Sequence, residues 1–352
     1  MKRRPPKHER VVQSKNVLLV DGNALYKRGF MGAKNEYNRH GQHIGGIYQF
    51  ITVLRKLIDE NLYHKVFVFW DGEFSGKLRW EIYKDYKSGR GKDYVNGTKP
   101  EDLEEVAQRG TVFNYLEELY IRQLVDEKVE ADDFIAYICN TKKQNEKITI
   151  ATSDRDLCQL VNDEVRMYLL DLKKYITTDN FKNYFKYHYE NVALVKILTG
   201  DVSDSIKGVK RLGEETLIKL FPEITYKKVK LNDIIEKAKK LQESRLAENK
   251  KPLAVLTNII NGITDGIQGD KLYNINEKLV DLKTPLLTDS AINNVKELID
   301  TPLSDDRSIK NVYRMLKNDG IDSILGENRY ENYLLPFKKL IEREKKNNEI
   351  LS

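Results

Sequence analysis

The chain has 352 residues, 40% of them hydrophobic, and 60 Lys and Arg against 54 Asp and Glu give a net charge of +6. That length supports a substantial core and suggests two domains, or one with a large appendage. Two cysteines without CxxC spacing exclude a disulfide framework and a zinc knuckle, which points to a reducing, cytoplasmic setting, and no apolar run reaches membrane-spanning length.

The opening MKRRPPKHERVVQSK is basic with no apolar stretch behind it, and predicts a disordered arm over residues 1–15. NVLLV then runs into Asp21, KVFVFW into Asp71 and KITIATS into Asp154. Each run reads as a buried strand, and continuous β-branched runs separated by helical stretches predict a mostly parallel sheet with helices on both faces. Ligands of such sheets sit beyond the carboxyl ends of the strands, so the three aspartates are expected at one edge. Between the strands, HIGGIYQFITVLRKLIDENL, VFNYLEELYIRQLV and DDFIAYICNTKK have helical spacing. His40 and His43, the only close histidine pair, read as loop residues rather than metal ligands. VRMYLL predicts another strand and KKYITT a turn and return strand, which leaves Asp171 in the turn. An α/β domain is thus expected over residues 16–185. From 186 to 352 helices dominate, through NVALVKILTG, ETLIKLF, LNDIIEKAKKLQESRLAEN, PLAVLTNIINGI and NVKELID; the late stretch YLLPFKKLIE reads as core rather than as a docking segment.

KVEADDFIAYICN crowds Glu130, Asp132 and Asp133 into four positions. Acids in a first helical turn complement the helix dipole, which accounts for one or two of them. Asp21, Asp71, Asp154, Asp156, Asp201 and Asp204 bring the set to nine acids from five segments, all at expected strand ends, helix starts or turns. Packed together they repel unless cations sit among them. Oxygen-only donors favour two magnesium ions, with manganese as substitute, over zinc. Such a pair serves phosphodiester hydrolysis by activating a water and clamping the attacking and leaving oxygens. With the nine acids set aside the rest of the chain carries +15, an acidic pocket in a basic body.

FSGKLRWEIYKDYKSGRGK sets Lys77, Arg79, Lys84, Lys87, Arg90 and Lys92 against only Glu81 and Asp85, with Trp80, Tyr83 and Tyr86 interleaved. Cations alternating with stacking rings suit a single strand of nucleic acid. GDVSDSIKGVKRLGEETLIKLF reads as a helix end, a turn punctuated by Gly208 and Gly213, and a helix opening near Glu214; Lys210, Arg211 and Lys219 add positive charge for phosphates.

VDGNAL, FWDGE, LRWEIYKDYKSGR, EADD, TSDRDLCQL and GDVSDSIKGVKRLGEET, in that order over roughly residues 16–222, resemble the flap endonucleases or 5′ nucleases, especially the bacteriophage enzymes and the 5′-nuclease domain of bacterial DNA polymerase I. The resemblance implies a PIN-like α/β domain, an arch at about 73–105 and a helix–three-turn–helix element that grips duplex DNA. It implies that all nine acids are metal ligands. It further implies that Arg79, Lys87 and Arg90 steady the scissile phosphate and that Tyr86 stacks on a nucleotide. It also implies a potassium site of backbone oxygens at the turn; here Lys207 and Arg211 stand where proline and glycine are usual, so a looser, more basic turn is expected. The helical tail is similar to that of the T-even phage ribonuclease H. With no polymerase domain following, a free-standing, monomeric, phage-encoded 5′-3′ exonuclease or flap endonuclease is expected, acting in DNA replication on 5′ flaps or RNA primers of RNA–DNA duplexes. A sliding clamp or single-strand-binding protein is a candidate partner for the tail. The alternatives are a PIN-type single-strand ribonuclease and a non-catalytic DNA-binding platform.

Overall fold

The computed structural model describes residues 15–90, 103–302, 307–321 and 330–351. The basic arm up to Ser14, the arch between 91 and 102, and Lys92 with it, lie outside the described residues, while Lys15, assigned above to the arm, begins the first strand.

Six strands form one sheet: β1 Lys15–Asp21, β2 Tyr63–Asp71, β3 Arg122–Asp126, β4 Glu146–Thr152, β5 Val165–Leu169 and β6 Lys174–Ile176. Their order is β3-β2-β1-β4-β5-β6, parallel throughout except for the return strand β6. A two-stranded ribbon, β7 Gly200–Asp201 and β8 Ile206–Lys207, stands apart. The helices are α1 Gly22–Gly32, α2 Gly45–Glu60, α3 Lys77–Ile82, α4 Leu103–Glu118, α5 Ala131–Thr141, α6 Val192–Thr199 and α7 Glu214–Leu220, followed by α8 Leu231–Ala247, α9 Ala254–Ile260, α10 Asp270–Val280, α11 Asp289–Asp300, α12 Ile309–Asn318 and α13 Tyr330–Leu351.

Alternation along the central strands feeds two cores. Val17, Leu19, Phe67, Phe69 and Ile150 point to the face covered by α5 and α6, and that apolar cluster continues through Phe221 to Val295. Leu18, Val20, Val66, Val68 and Trp70 point to the face under α1, α2 and α4, where Val312, Leu334, Phe337 and Leu340 also pack. YLLPFKKLIE is core, as its apolar spacing suggests. The helical second half therefore shares its buried surface with both faces of the sheet.

One strand of the six-stranded sheet was not visible in the sequence. VFNYLEELYIRQLV reads as a single helix, but α4 stops at Glu118 and edge strand β3 follows. Ile121 N donates to Leu116 O and Tyr120 N to Glu117 O, a Schellman closure in which Tyr120, at φ 61°, takes the left-handed position that glycine usually fills.

Candidate active site

The chain turns its strand ends into side-chain holders. Asp21 ends β1 and caps α1, its Oδ1 accepting from Ala24 N at 2.9 Å, while its Oδ2 accepts from Thr152 Oγ1 at 2.8 Å. Asp71 ends β2 and accepts from Ala131 N, at the start of α5, at 2.8 Å. Thr152 ends β4; its Oγ1 also accepts from Asp154 N at 2.9 Å, and Asp154 Oδ1 in turn accepts from Asp156 N at 2.8 Å. Because β2, β1 and β4 are neighbours in the sheet, these carboxylates gather at one carboxyl edge, where Asp132 on the first turn of α5 joins them.

The charges there are uncompensated. Burial, together with Asp71 and Asp154, pushes Asp21 up to about 7. Burial and then Asp154, Asp21 and Asp71 hold Asp132 well above the usual carboxylate range. Crowded carboxylates of this kind repel one another, and a hard divalent cation with oxygen ligands relieves that repulsion. The donor chemistry of Asp21, Asp71, Asp132 and Asp154 fits magnesium or manganese. Among the described residues no three acidic, histidine or cysteine side chains already converge as a finished metal cage.

A second group lies beside the first. Lys196 on α6 reaches Asp156 Oδ1 at 2.6 Å and also pairs with Asp201, whose Oδ1 accepts from Ser203 N at 2.8 Å and Ser203 Oγ at 2.6 Å. Burial would raise Asp201, but Lys196 and Ser203 hold it down at about 2. Burial and the adjacent Asp154 push Asp156 up to about 7. Lys196 was missed in the sequence; its only signal is a lysine one helical turn and a step before an aspartate of the set.

Three expectations change at α3 and α5. Asp133 faces away from the edge: it is fully buried, its two oxygens take Arg79 Nη1 and Nη2 at 2.5 and 3.0 Å, and Leu286 N donates to it at 2.9 Å. Arg79 is spent on that fork, on Glu130 at 2.7 Å and on the carbonyl of Leu279 at 3.0 Å, so it braces the site rather than meeting a phosphate. The Tyr86 ring is 3% exposed, packed with Ile206 and Leu279, and its hydroxyl faces Glu130 at 3.1 and 3.2 Å and Asp204 at 3.5 Å. No face of it is open to a nucleotide. Lys87 Nζ pairs with Glu130, and Lys87 N donates to Asp204 O at 2.8 Å, which ties this cation to the acidic edge itself. Burial would raise Glu130, but Lys87 and Arg79 pull it below the usual range.

The remaining candidates are spread over two surfaces. Lys77 and Lys84 are exposed on and just after α3, Lys84 Nζ lying 3.4 Å from the Trp80 ring centroid. Arg90 closes a short 3-10 turn after Lys87. At the second surface Gly208 has no room for a side chain, since a Cβ would stand 2.0 Å from Thr199 C. Lys210, Arg211, Gly213 and Lys219 are exposed there, and Arg211 adopts φ 68°. Glu214 and Glu215 fill the first turn of α7, an unwelcoming place for a phosphate. The carbonyls of Val209 and Lys210 already accept from Leu212 N at 3.0 Å and Asn258 Nδ2 at 2.8 Å.

Residues 16–188 match the model of the 5′-3′ exonuclease, N-terminal resolvase-like domain. The chain is 34% identical over 208 residues to the thermostable DNA polymerase I of Thermus caldophilus, covering 59% of this chain and 24% of that one. It is 27% identical over 288 residues to a 5′-3′ exonuclease of Halalkalibacterium halodurans, covering 78% of this chain and 92% of that one. The chain thus spans about a quarter of the polymerase relatives it matches. Among solved structures, T5 5′-exonuclease with bound divalent metal ions (zinc) shares the fold, with a TM-score of 0.56 at 18% identity over 87% of this chain and 98% of that one. A bacteriophage T5 flap endonuclease in a pseudo-enzyme-product complex with DNA and metal ions gives 0.54 at 19% identity over 87% and 99%.

Proposed function

Residues 16–188 belong to the 5′-3′ exonuclease family, as its N-terminal resolvase-like domain, and from that premise we propose that the chain is a structure-specific 5′ nuclease acting on 5′ flaps or RNA primers. The observation that carries the proposal is the placement of Asp21, Asp71, Asp132 and Asp154 at one carboxyl edge of the sheet, where burial and mutual repulsion raise Asp21 and Asp132 above the usual carboxylate range. Those four would hold one magnesium ion, and Asp156 and Asp201, which share Lys196, a second, with Asp204 joining from the same segment as Asp201. When bound, such ions activate a water and stabilise charge on the oxygens of the cleaved phosphodiester.

The chain's own residues supply the rest. Thr152 fixes the Asp21 carboxylate and the Asp154 backbone in one hydrogen-bonded unit. Arg79, clamped on Asp133 and Glu130, holds the base of the arch against α5. Lys87 pairs with Glu130 and its backbone N–H donates to Asp204 O, so in the proposal it steadies a phosphate by exchanging that carboxylate for the substrate. The catalytic unit is assigned to residues 16–185 with Lys196, Asp201 and Asp204 from the start of the helical region 186–352, and the turn at 208–213 to holding the duplex.

The test is cleavage of a 5′-labelled flap duplex and of a single-stranded RNA, each with magnesium or chelator, by wild type and Asp154→Asn. Magnesium-dependent cutting near the flap junction, lost at least about a hundredfold in Asp154→Asn, is expected. Cutting of the RNA alone would replace the proposal with a single-strand ribonuclease, and binding without cutting with a passive platform.

A further inference from the structure

Lys207 and Lys210 stand on either side of Gly208 in the turn between the ribbon and α7. The connection from α9 to α10 is laid along this turn. Lys210 N donates to Ile263 O at 2.8 Å, and Asn258 Nδ2 donates to Lys210 O at 2.8 Å. At the outer end of that connection Asp265 accepts from Lys210 Nζ at 2.6 Å through its carboxylate and from Lys207 Nζ at 3.3 Å through its carbonyl. Its side chain is three-quarters exposed and pairs with Lys210, while Lys207, which also lies 3.9 Å from Asp85, meets its backbone carbonyl. One residue thus offers an anionic oxygen to Lys210 and a carbonyl to Lys207, two of the three cations of the turn, the kind of contacts a backbone phosphate would make.

We propose that Asp265 is a built-in competitor for phosphate, occupying Lys207 and Lys210 until a nucleic-acid duplex displaces it. The proposal rests on the reading of the turn as the duplex-holding element. An exposed ion pair is weak and exchanges readily, so Asp265 does not block the site. It lowers the net charge that a lone polyanion meets there, which favours ligands that engage other parts of the surface at the same time.

The experiment is fluorescence anisotropy of a labelled blunt DNA duplex in chelator, over a range of salt, with wild type, Asp265→Asn, Lys210→Ala and the double variant. Asp265→Asn is expected to bind about three- to tenfold tighter, with a salt dependence steeper by about one released ion. Lys210→Ala is expected to bind weaker, and Asp265→Asn to add nothing in that background. If Lys210→Ala weakens binding while Asp265→Asn stays within about twofold of wild type, the competitor role is wrong and the duplex-holding turn stands. If Lys210→Ala binds as wild type does, the turn is not a phosphate contact and both fail.

Discussion

Arg79 makes four polar contacts, two to Asp133, one to Glu130 and one to Leu279 O, while 6% exposed. Only a planar fork serves all of them, because the donors must leave in fixed directions from one group. Arg79→Lys keeps the charge but supplies one nitrogen, so Asp133 or Glu130 is left buried and unpaired. The expected cost is about 2–4 kcal/mol in urea unfolding, with Arg79→Met costing more; a loss under about 0.5 kcal/mol would show that the fork is dispensable. This residue also shows where sequence reading stops. Its basic, aromatic neighbourhood was legible and suggested a strand-gripping arm, but its partner Asp133 lies 54 positions away and becomes visible only once α3 packs on α5. Lys196 escaped for a similar reason, since its second partner, Asp156, arrives from another segment.

Helix α8 is docked through a pair that the pH can read out. Lys237 Nζ meets the two carboxylate oxygens of Glu223, in the short 3-10 segment after α7, at 2.6 and 2.8 Å. Partial burial would raise Glu223, but the hydrogen bonds from Lys237 hold it below its ordinary 4.5. A carboxyl lowered in the folded state adds stability above its unfolded value and loses it as the pH falls through the folded one. Lys237→Ala is therefore expected to be less stable than wild type by about 0.3–1 kcal/mol at pH 7, and the gap to close below pH 4.5. Urea midpoints across that range check it, and a gap that persists in acid would assign the effect to the Lys237 ammonium over the Phe221 ring instead. At this scale the sequence was readable wherever an element announces its ends. Three apolar runs stopping at aspartates placed β1, β2 and β4, and Gly208 and Gly213 framed the turn before α7. The boundary between α4 and β3 was hidden because Tyr120 performs the helix stop without a glycine, and β7 and β8, at two residues each, are too short to carry an alternation.

Across the molecule, the sheet is covered by helices that come from both ends of the chain, which is why composition suggested a separable second half and the packing does not. Helix α13 lies on α2 and β2, where Leu334, Phe337 and Leu340 are buried and Glu344 forms a buried pair with Arg122 of β3. Arg343 Nε donates to Tyr63 O at 2.8 Å and Arg55 Nε to Tyr333 O at 2.7 Å, so the helix is fastened along its length. The pocket edge and the α13 contact are thus two ends of the same strands, and losing the far contact loosens the near one. Three buried apolar side chains contribute about 2 kcal/mol each, a large share of the 5–15 kcal/mol that a domain has in total. Arg122 would also be left buried with carbonyls of Leu298 and Thr301 as its remaining partners. A chain ending at Ile321 is therefore expected to lose about 5 kcal/mol or more, to bind a hydrophobic dye, and to lose catalysis together with its cooperative melt. Glu344→Gln, which keeps the apolar contacts, separates the two causes: it is expected to cost about 1–3 kcal/mol and leave the melt cooperative. If the shortened chain instead melted at the wild-type midpoint, α13 would be an appendage resting on a core that closes without it.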